Sequence, residues 1–401
     1  MIYPVTERQD RFMKIARELA AKFSERAAAH DRDGSFPHEN FDDIRAAGLP
    51  ALVIPKRFGG WEASLLETVL TIGEMAVGDG STALNFTMHA QVMGGAEAAQ
   101  NWPVPLYEKV CRAAVERGAL INAIASEPAM GSPSRGGKPK TTATPVYADG
   151  DTEKSTPSGW IINGRKNFAS MSPTLDFMIV LAAREDGSDE TARFLVEPND
   201  KVEIVETWDT MGMRATGSHD VIFHDVFVPH SHMINPTPKG EAKLPANPGF
   251  SLNVGAVYLG IAQAALNAAL HFARERVPTA LGKPIAEVES VQRRLGEAEL
   301  LLHQSRMHIY HAADLWDRFP DRRAALDESN VVAKYIATNN AIEIVDKAMR
   351  VVGGVGMSRK FPLERYYRDV RGGLSHPMSD DVALVKLGNI ALDRYAQADG
   401  A

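Results

Sequence analysis

The sequence predicts an α+β chain in three parts: an all-helical N-terminal domain over residues 1–118, an antiparallel β-barrel domain over 119–236, and a helical bundle over 237–401. Two observations carry this. Apolar residues recur at helical spacing at both ends of the chain. Between those ends lie at least five short β-type runs, separated by turn-rich pieces and with no long helix among them.

The first helix has a start signal, Thr6 followed three residues later by Gln9, which is a capping-box pattern. Phe12, Ile15, Leu19 and Phe23 then give one apolar stripe, and Asp33-Gly34 stops it. LPALVIPKRFGG, ending at Gly60, mixes apolar residues with Pro and Gly and reads as a packed loop. The texture changes near Leu120. GWIINGRKNF, DFMIVLAAR, ARFLVEP, VEIVET and HDVIFHDVFVP read as strands, with ADGDTEKSTPSG and REDGSDETA as turns. After the Pro-rich connector NPTPKGEAKLPANPGF, three long helical patterns follow. On the first, Leu259, Ala262, Leu266 and Ala269 form one apolar face.

Composition narrows the function. A length of 401 residues permits two or three domains with sizeable cores. The net charge of −7 gives no electrostatic reason to expect nucleic acid or an anionic membrane as partner. Cys111 is the only cysteine, so no intrachain disulfide is expected and a reducing compartment fits. No apolar signal core opens the chain and no run of roughly 18 apolar residues appears, so the expectation is a cytoplasmic protein without a membrane span. His303, His308 and His311 share a helix, but no Glu or Cys stands at matching spacing, and no metal site is expected.

Two loops could carry chemistry. SEPAMGS places Ser126, Gly131 and Ser132 just after a predicted strand, where amides and hydroxyls can meet a polar ring or a phosphate; the plainer reading is a solvated turn. KNFAS ends another strand and sets Phe168 and Ser170 on one side of it, an aromatic wall beside a donor; the plainer reading is a core Phe and a surface Ser. VVGGVGMSRK is no dinucleotide fingerprint, because position 359 is Arg and the segment follows a helix instead of a strand. LERYYRD reads as a structural ion-pair network.

Taken in order, LPALVIPKRFGG, ASEPAMGS, INGRKNFAS, MGMRATGSHDVIFHDVFVP, ARERVPTALGKPI and VVGGVGMSRKFPLERYYRD resemble segments of the acyl-CoA dehydrogenase superfamily. The resemblance spans nearly the whole chain. It implies two helical domains around a central β-barrel, the second a four-helix bundle, usually in homotetramers with FAD. It implies that Ser126, Gly131, Ser132, Phe168 and Ser170 meet the flavin ring. Arg276 would reach the pyrophosphate of a neighbouring subunit's FAD, Gly353 and Gly354 would line the adenosine side, and Ser379 stands where the family has Thr. The RVPTALGK loop is longer than the family's and lacks its Phe.

The family's catalytic carboxylate is missing. The usual position falls on Pro377, and the second known position falls on Phe250, beside Ser251 where an arginine is common. Ser379-Asp380-Asp381 reads as a helix cap with acids in its first turn. His376 remains as a candidate acid or base, with His89 and Phe250 as candidate pocket residues; a core role for His89 is the plainer reading. Members of the superfamily's flavin monooxygenase branch also lack the glutamate, and some carry a His in a similar segment.

Three functions follow from the resemblance. The first is FAD-dependent oxidation of an acyl-CoA-like substrate with an unusual base, passing electrons to an electron-transfer flavoprotein. The second is a two-component monooxygenase in which a separate reductase supplies reduced flavin, FMN included, and His376 moves the proton. The third is a non-catalytic flavin-fold binding protein.

Overall fold

Why the chain folds in three layers is visible in a computed structural model, which describes residues 3–130, 137–148, 156–188, 190–234 and 249–399. The first helix, α1 (Glu7–Asp33), starts where its cap residues dictate. Thr6 Oγ1 accepts the Gln9 amide at 3.1 Å, while the Gln9 side chain takes the Val5 amide at 2.8 Å, one residue before the cap. Gly34 ends it at φ 65°, a left-handed conformation that suits glycine. Helices α2 (His38–Ala46), α3 (Leu65–Gly78), α4 (Gly80–Ala99) and α5 (Val104–Arg117) complete the N-terminal part. Between α2 and α3, the LPALVIPKRFGG segment forms two short 3-10 turns over buried Leu49, Leu52 and Ile54.

The middle part is an eight-stranded sheet. Its strands are β1 (Ile121–Ile124), β2 (Thr142–Val146), β3 (Gly159–Ala169), β4 (Phe177–Arg184), β5 (Thr191–Val196), β6 (Val202–Val205), β7 (His219–Pro229) and β8 (Met233–Ile234). The spatial order is β6-β7-β3-β2-β4-β5-β8, with β1 also on β4. The sheet is mixed, not antiparallel as expected: β1 and β2 both run parallel to β4. Two strands thus lie along β4 in its own direction.

The C-terminal part is α6 (Gly249–Glu275), α7 (Glu289–Arg318), α8 (Asp327–Val352), the short α9 (Leu363–Asp369) and α10 (Gly372–Ser375), and α11 (Asp380–Asp399). Helix α6 is long and apolar enough to cross a membrane by length and composition, but 83% of its apolar window is buried inside the protein. It is the hub of the core. At Gly260 an added Cβ would sit 2.3 Å from the Gly73 carbonyl oxygen, so α3 and α6 cross closely only because glycine stands there. One continuous core joins all three parts, from Phe12 and Phe23 through Trp160 and Phe194 to Tyr258 and Ile344.

Candidate active site

The SEPAM loop and the end of β3 lie side by side. The Asn167 amide donates to the Ser126 carbonyl at 3.0 Å. Beneath them, Glu127 and Lys166 form an ion pair at 2.6 Å, with side chains only 3% and 0% exposed. Glu127 also accepts the Lys140 amide at 2.6 Å and the Thr141 amide at 3.1 Å. Burial alone would raise its carboxyl, but these donors outweigh burial and hold it below the usual carboxylate range. Burial lowers Lys166 despite the pull of Glu127. The acid of SEPAM is therefore an anchor for the loop, not a ligand group.

Strand β3 loses register with β7 between Lys166 and Ala169. At this irregularity Phe168 adopts φ 54°, in the left-handed region that bulky residues avoid. The kink turns the ring out of the sheet, so that 62% of Phe168 is uncovered while its edge meets Trp208 at 5.7 Å. A strained aromatic aimed outward marks a binding surface. Ser170 follows. Its hydroxyl bonds Ser218 at 2.8 Å, Ser218 bonds Thr216 at 2.8 Å, and its carbonyl takes the Asn122 side-chain amide at 2.9 Å. Gly131 and Ser132 lie outside the described residues.

A second cluster sits between α6 and the turn after α10. The Tyr258 hydroxyl and His376 Nδ1 are 2.9 Å apart. Phe250 meets the imidazole edge-on at 6.4 Å. Burial, then the Lys334 charge, push the imidazole down to about 4, so it is neutral at physiological pH. Burial, helped by Asp369, raises the Tyr258 hydroxyl well above its ordinary value. A hydroxyl that stays protonated donates to Nδ1, which leaves the imidazole proton on Nε2. Lys334, itself 2% exposed, holds the turn: Nζ donates to the Gly373 carbonyl at 2.9 Å and stands 3.6 Å from Asp380. Asn339 donates to one Asp380 oxygen at 3.0 Å, while the other, facing Lys334, has no hydrogen-bond partner among the described residues. Ser379 precedes α11 and its carbonyl accepts the Ala383 amide at 2.9 Å.

Met213 joins the two clusters. Its carbonyl accepts the Trp208 indole N–H at 2.9 Å, its amide donates to Asp369 at 2.6 Å, and its side chain packs beside Gly372. Burial raises Asp369 to about 7 against the lowering effect of the Met213 amide. The sequence reading named neither Tyr258 nor Lys334 nor Trp208. Tyr258 meets His376 across 118 residues, and no local spacing signals that contact.

The remaining expected residues divide. His89 is corrected: it is 0% exposed, with Nε2 2.9 Å from the Pro50 carbonyl and Nδ1 accepting the Ile121 amide at 3.3 Å. Both ring nitrogens are spent in the core, and burial holds the imidazole down to about 4, so His89 lines no pocket. Arg276 is exposed just past the end of α6, with no side-chain partner among the described residues. Gly353 and Gly354 are exposed after α8, and an added Cβ at either would meet nothing within 4 Å. Among the described residues these three share no bond with either cluster.

The donor set fits a flavin. Alongside the uncovered Phe168, the side-chain oxygens of Asn122 and Asn167 are buried and lack a partner among the described residues. Asn85 and Asn253, on α4 and α6, have unpartnered buried amide atoms as well. Such groups call for a polar ligand or water. Among the described residues no cluster of His, Cys, Asp and Glu could hold a metal ion.

Comparison with known proteins agrees with this arrangement. Three profiles match in order: acyl-CoA dehydrogenase N-terminal domain at residues 6–101, middle domain at 123–226 and C-terminal domain at 252–381. YdbM of Bacillus subtilis (strain 168), whose name places it among the acyl-CoA dehydrogenases, is 40% identical over 96% of this chain and 98% of its own. Benzylmalonyl-CoA dehydrogenase of Aromatoleum aromaticum is 31% identical over 90% and 91% of the two chains. The structure of TdsC from Paenibacillus sp. A11-2 with FMN and indole superposes with a TM-score of 0.82 and 26% identity, covering 96% of this chain and 97% of that one.

Proposed function

Because the chain belongs to the acyl-CoA dehydrogenase family of flavin-dependent oxidoreductases, we propose that it is a monooxygenase of that family, using reduced flavin and oxygen on a small organic substrate. One observation carries the proposal: both family positions for the catalytic carboxylate, Pro377 and Phe250, lack an ionisable group, and the adjacent imidazole of His376 is held neutral. Taking the α-proton of a thioester would leave an imidazolium in a site where burial and the Lys334 charge disfavour it. Asp380 is engaged by Lys334 and Asn339, and Asp381 is exposed in the first turn of α11.

When bound, the flavin supplies the redox chemistry. Phe168 and Trp208 would hold the flat ring, with Asn122, Asn167 and the Ser126 loop as polar partners. Arg276 and the exposed glycines Gly353 and Gly354 suit the phosphate and nucleotide side, contributed across a subunit boundary. Tyr258 fixes the His376 tautomer, so Nε2–H is a donor of constant direction. Phe250 and Tyr258 flank the imidazole with their rings. FMN in TdsC supports FMN as the flavin, delivered by a separate reductase. Helix α11 leaves Leu384, Val385, Leu392 and Tyr395 between 50% and 70% exposed, an apolar face that supports assembly of further copies into a tetramer.

A second reading, oxidation of an acyl-CoA-like substrate, is favoured by two relatives above 30% identity whose names are those of CoA-ester dehydrogenases. The experiment that separates the two supplies a flavin reductase, NADH, FMN and oxygen, with indole as probe. The proposal expects an oxygenated product from the wild-type chain, and roughly a hundredfold or greater slowing in His376→Asn. Product formation unaffected by His376→Asn would remove His376 from the mechanism.

A further inference from the structure

A cleft of about 690 Å³ opens between the end of α1, the 210–214 turn and the 359–368 segment, outside the candidate active site. Six basic side chains and two acidic ones line it. The whole chain carries −7, so this face runs against the rest of the molecule.

The charges divide into two sets. Arg368 is spent: it binds Asp31 at 2.6 Å and Glu364 at 2.9 Å. Arg214 donates to Asp209 at 3.0 Å and to the Asp31 carbonyl at 2.8 Å. These pairs absorb both acidic residues of the lining and build its wall. Arg32, Arg359 and Lys360 are exposed, and no carboxylate lies within ion-pair distance of them among the described residues. Arg365 is the unusual member. It is 7% exposed, its guanidinium lies 5.1 Å from the centre of the Tyr366 ring, and no acid pairs with it at close range among the described residues. Tyr366, Asp79, Asp369 and Asp31 act on it through space. Burial alone would lower Arg365, but these groups outweigh burial, so it stays a cation in the cleft wall.

We propose that this cleft binds a small organic ligand carrying a pyrophosphate or a comparable cluster of negative charge. Its volume suits a nucleotide-sized molecule. The three exposed basic groups and Arg365 line the cleft together, and charged donors of this kind suit phosphate oxygens. Met211, 58% exposed, and Phe361 give an apolar side for the organic part. The 210–214 turn that forms one wall follows Trp208, which touches Phe168, so occupation of the cleft adjoins the flavin surface.

The test is calorimetric titration of the flavin-loaded full chain with ADP, with adenosine and sulfate as controls. Expected are one ADP per chain with flavin retained, no binding of adenosine, and at least about tenfold weaker binding in Arg359→Ser/Lys360→Ser. Those two positions are exposed, so the double variant keeps its fold. Arg365→Gln should weaken ADP further, and its folding is checked by circular dichroism. The proposal is overturned if ADP does not bind, if ADP displaces the flavin, if sulfate competes as well as ADP, or if the double variant binds unchanged.

Discussion

Replacing Lys166 by Met tests the anchor under the flavin loops. The Glu127–Lys166 contact is 2.6 Å long, and neither side chain exceeds 3% exposure. Removing one partner of such a pair leaves a buried charge, which costs about 3–5 kcal/mol. Glu127 keeps the amides of Lys140 and Thr141, so the loss should fall near the lower end, about 3 kcal/mol. The pH dependence sharpens the test. In the wild type the Glu127 pKa is depressed, so its contribution is present above the unfolded carboxylate value and is lost as pH falls. In Lys166→Met, burial is no longer outweighed and the carboxyl is raised. The variant's deficit should therefore be largest near neutrality and shrink toward pH ~5. Urea titrations at the two pH values measure it, and FMN affinity should fall because the SEPAM loop loses its tether. Glu127→Gln together with Lys166→Met should recover much of the loss. A deficit under about 1 kcal/mol, or one that is equal at both pH values, refutes the reasoning.

Three further outcomes are expected. In Tyr258→Phe, His376 Nδ1 loses its donor; nitrogen NMR should show mixed imidazole tautomers in place of one, with stability lower by about 1 kcal/mol. His376 itself should stay neutral well below pH 6.5, since its value is held near 4; a proton-NMR titration with a midpoint near 6.5 would contradict its buried environment. Asp369 is raised to about 7, so between roughly pH 4 and 7 the native state holds the proton that the unfolded chain releases, and stability falls as pH rises through that window. Asp369→Asn should remove this slope in thermal melts while keeping the flavin.

The order of helical, β and helical parts was legible because periodicity and turn chemistry are local. Thr6, Gln9 and Gly34 mark α1 at both ends as their types predict. The parallel pairing of β1 and β2 with β4 was not legible, because strand direction depends on where the chain crosses, not on residue type. SEPAM and KNFAS could be picked out as candidate flavin loops, yet the exposure of Phe168 comes from a register shift that only pairing with β7 creates. His376 stood out in the sequence through the absence of a carboxylate. Its tautomer is set by Tyr258, its turn by Lys334, and both lie on other helices. His89 shows the converse: an imidazole near a motif looks functional until Pro50 and Ile121 are seen to use both nitrogens.

The central claim is that a neutral imidazole, not a carboxylate, serves the flavin site. Anaerobic mixing of the flavin-loaded protein with short-, medium- and long-chain acyl-CoAs tests it most directly. The account predicts that the flavin's visible absorbance persists with every one of them. Rapid bleaching by any acyl-CoA would contradict it, because abstraction of the α-proton would then charge an imidazole that burial and Lys334 hold neutral.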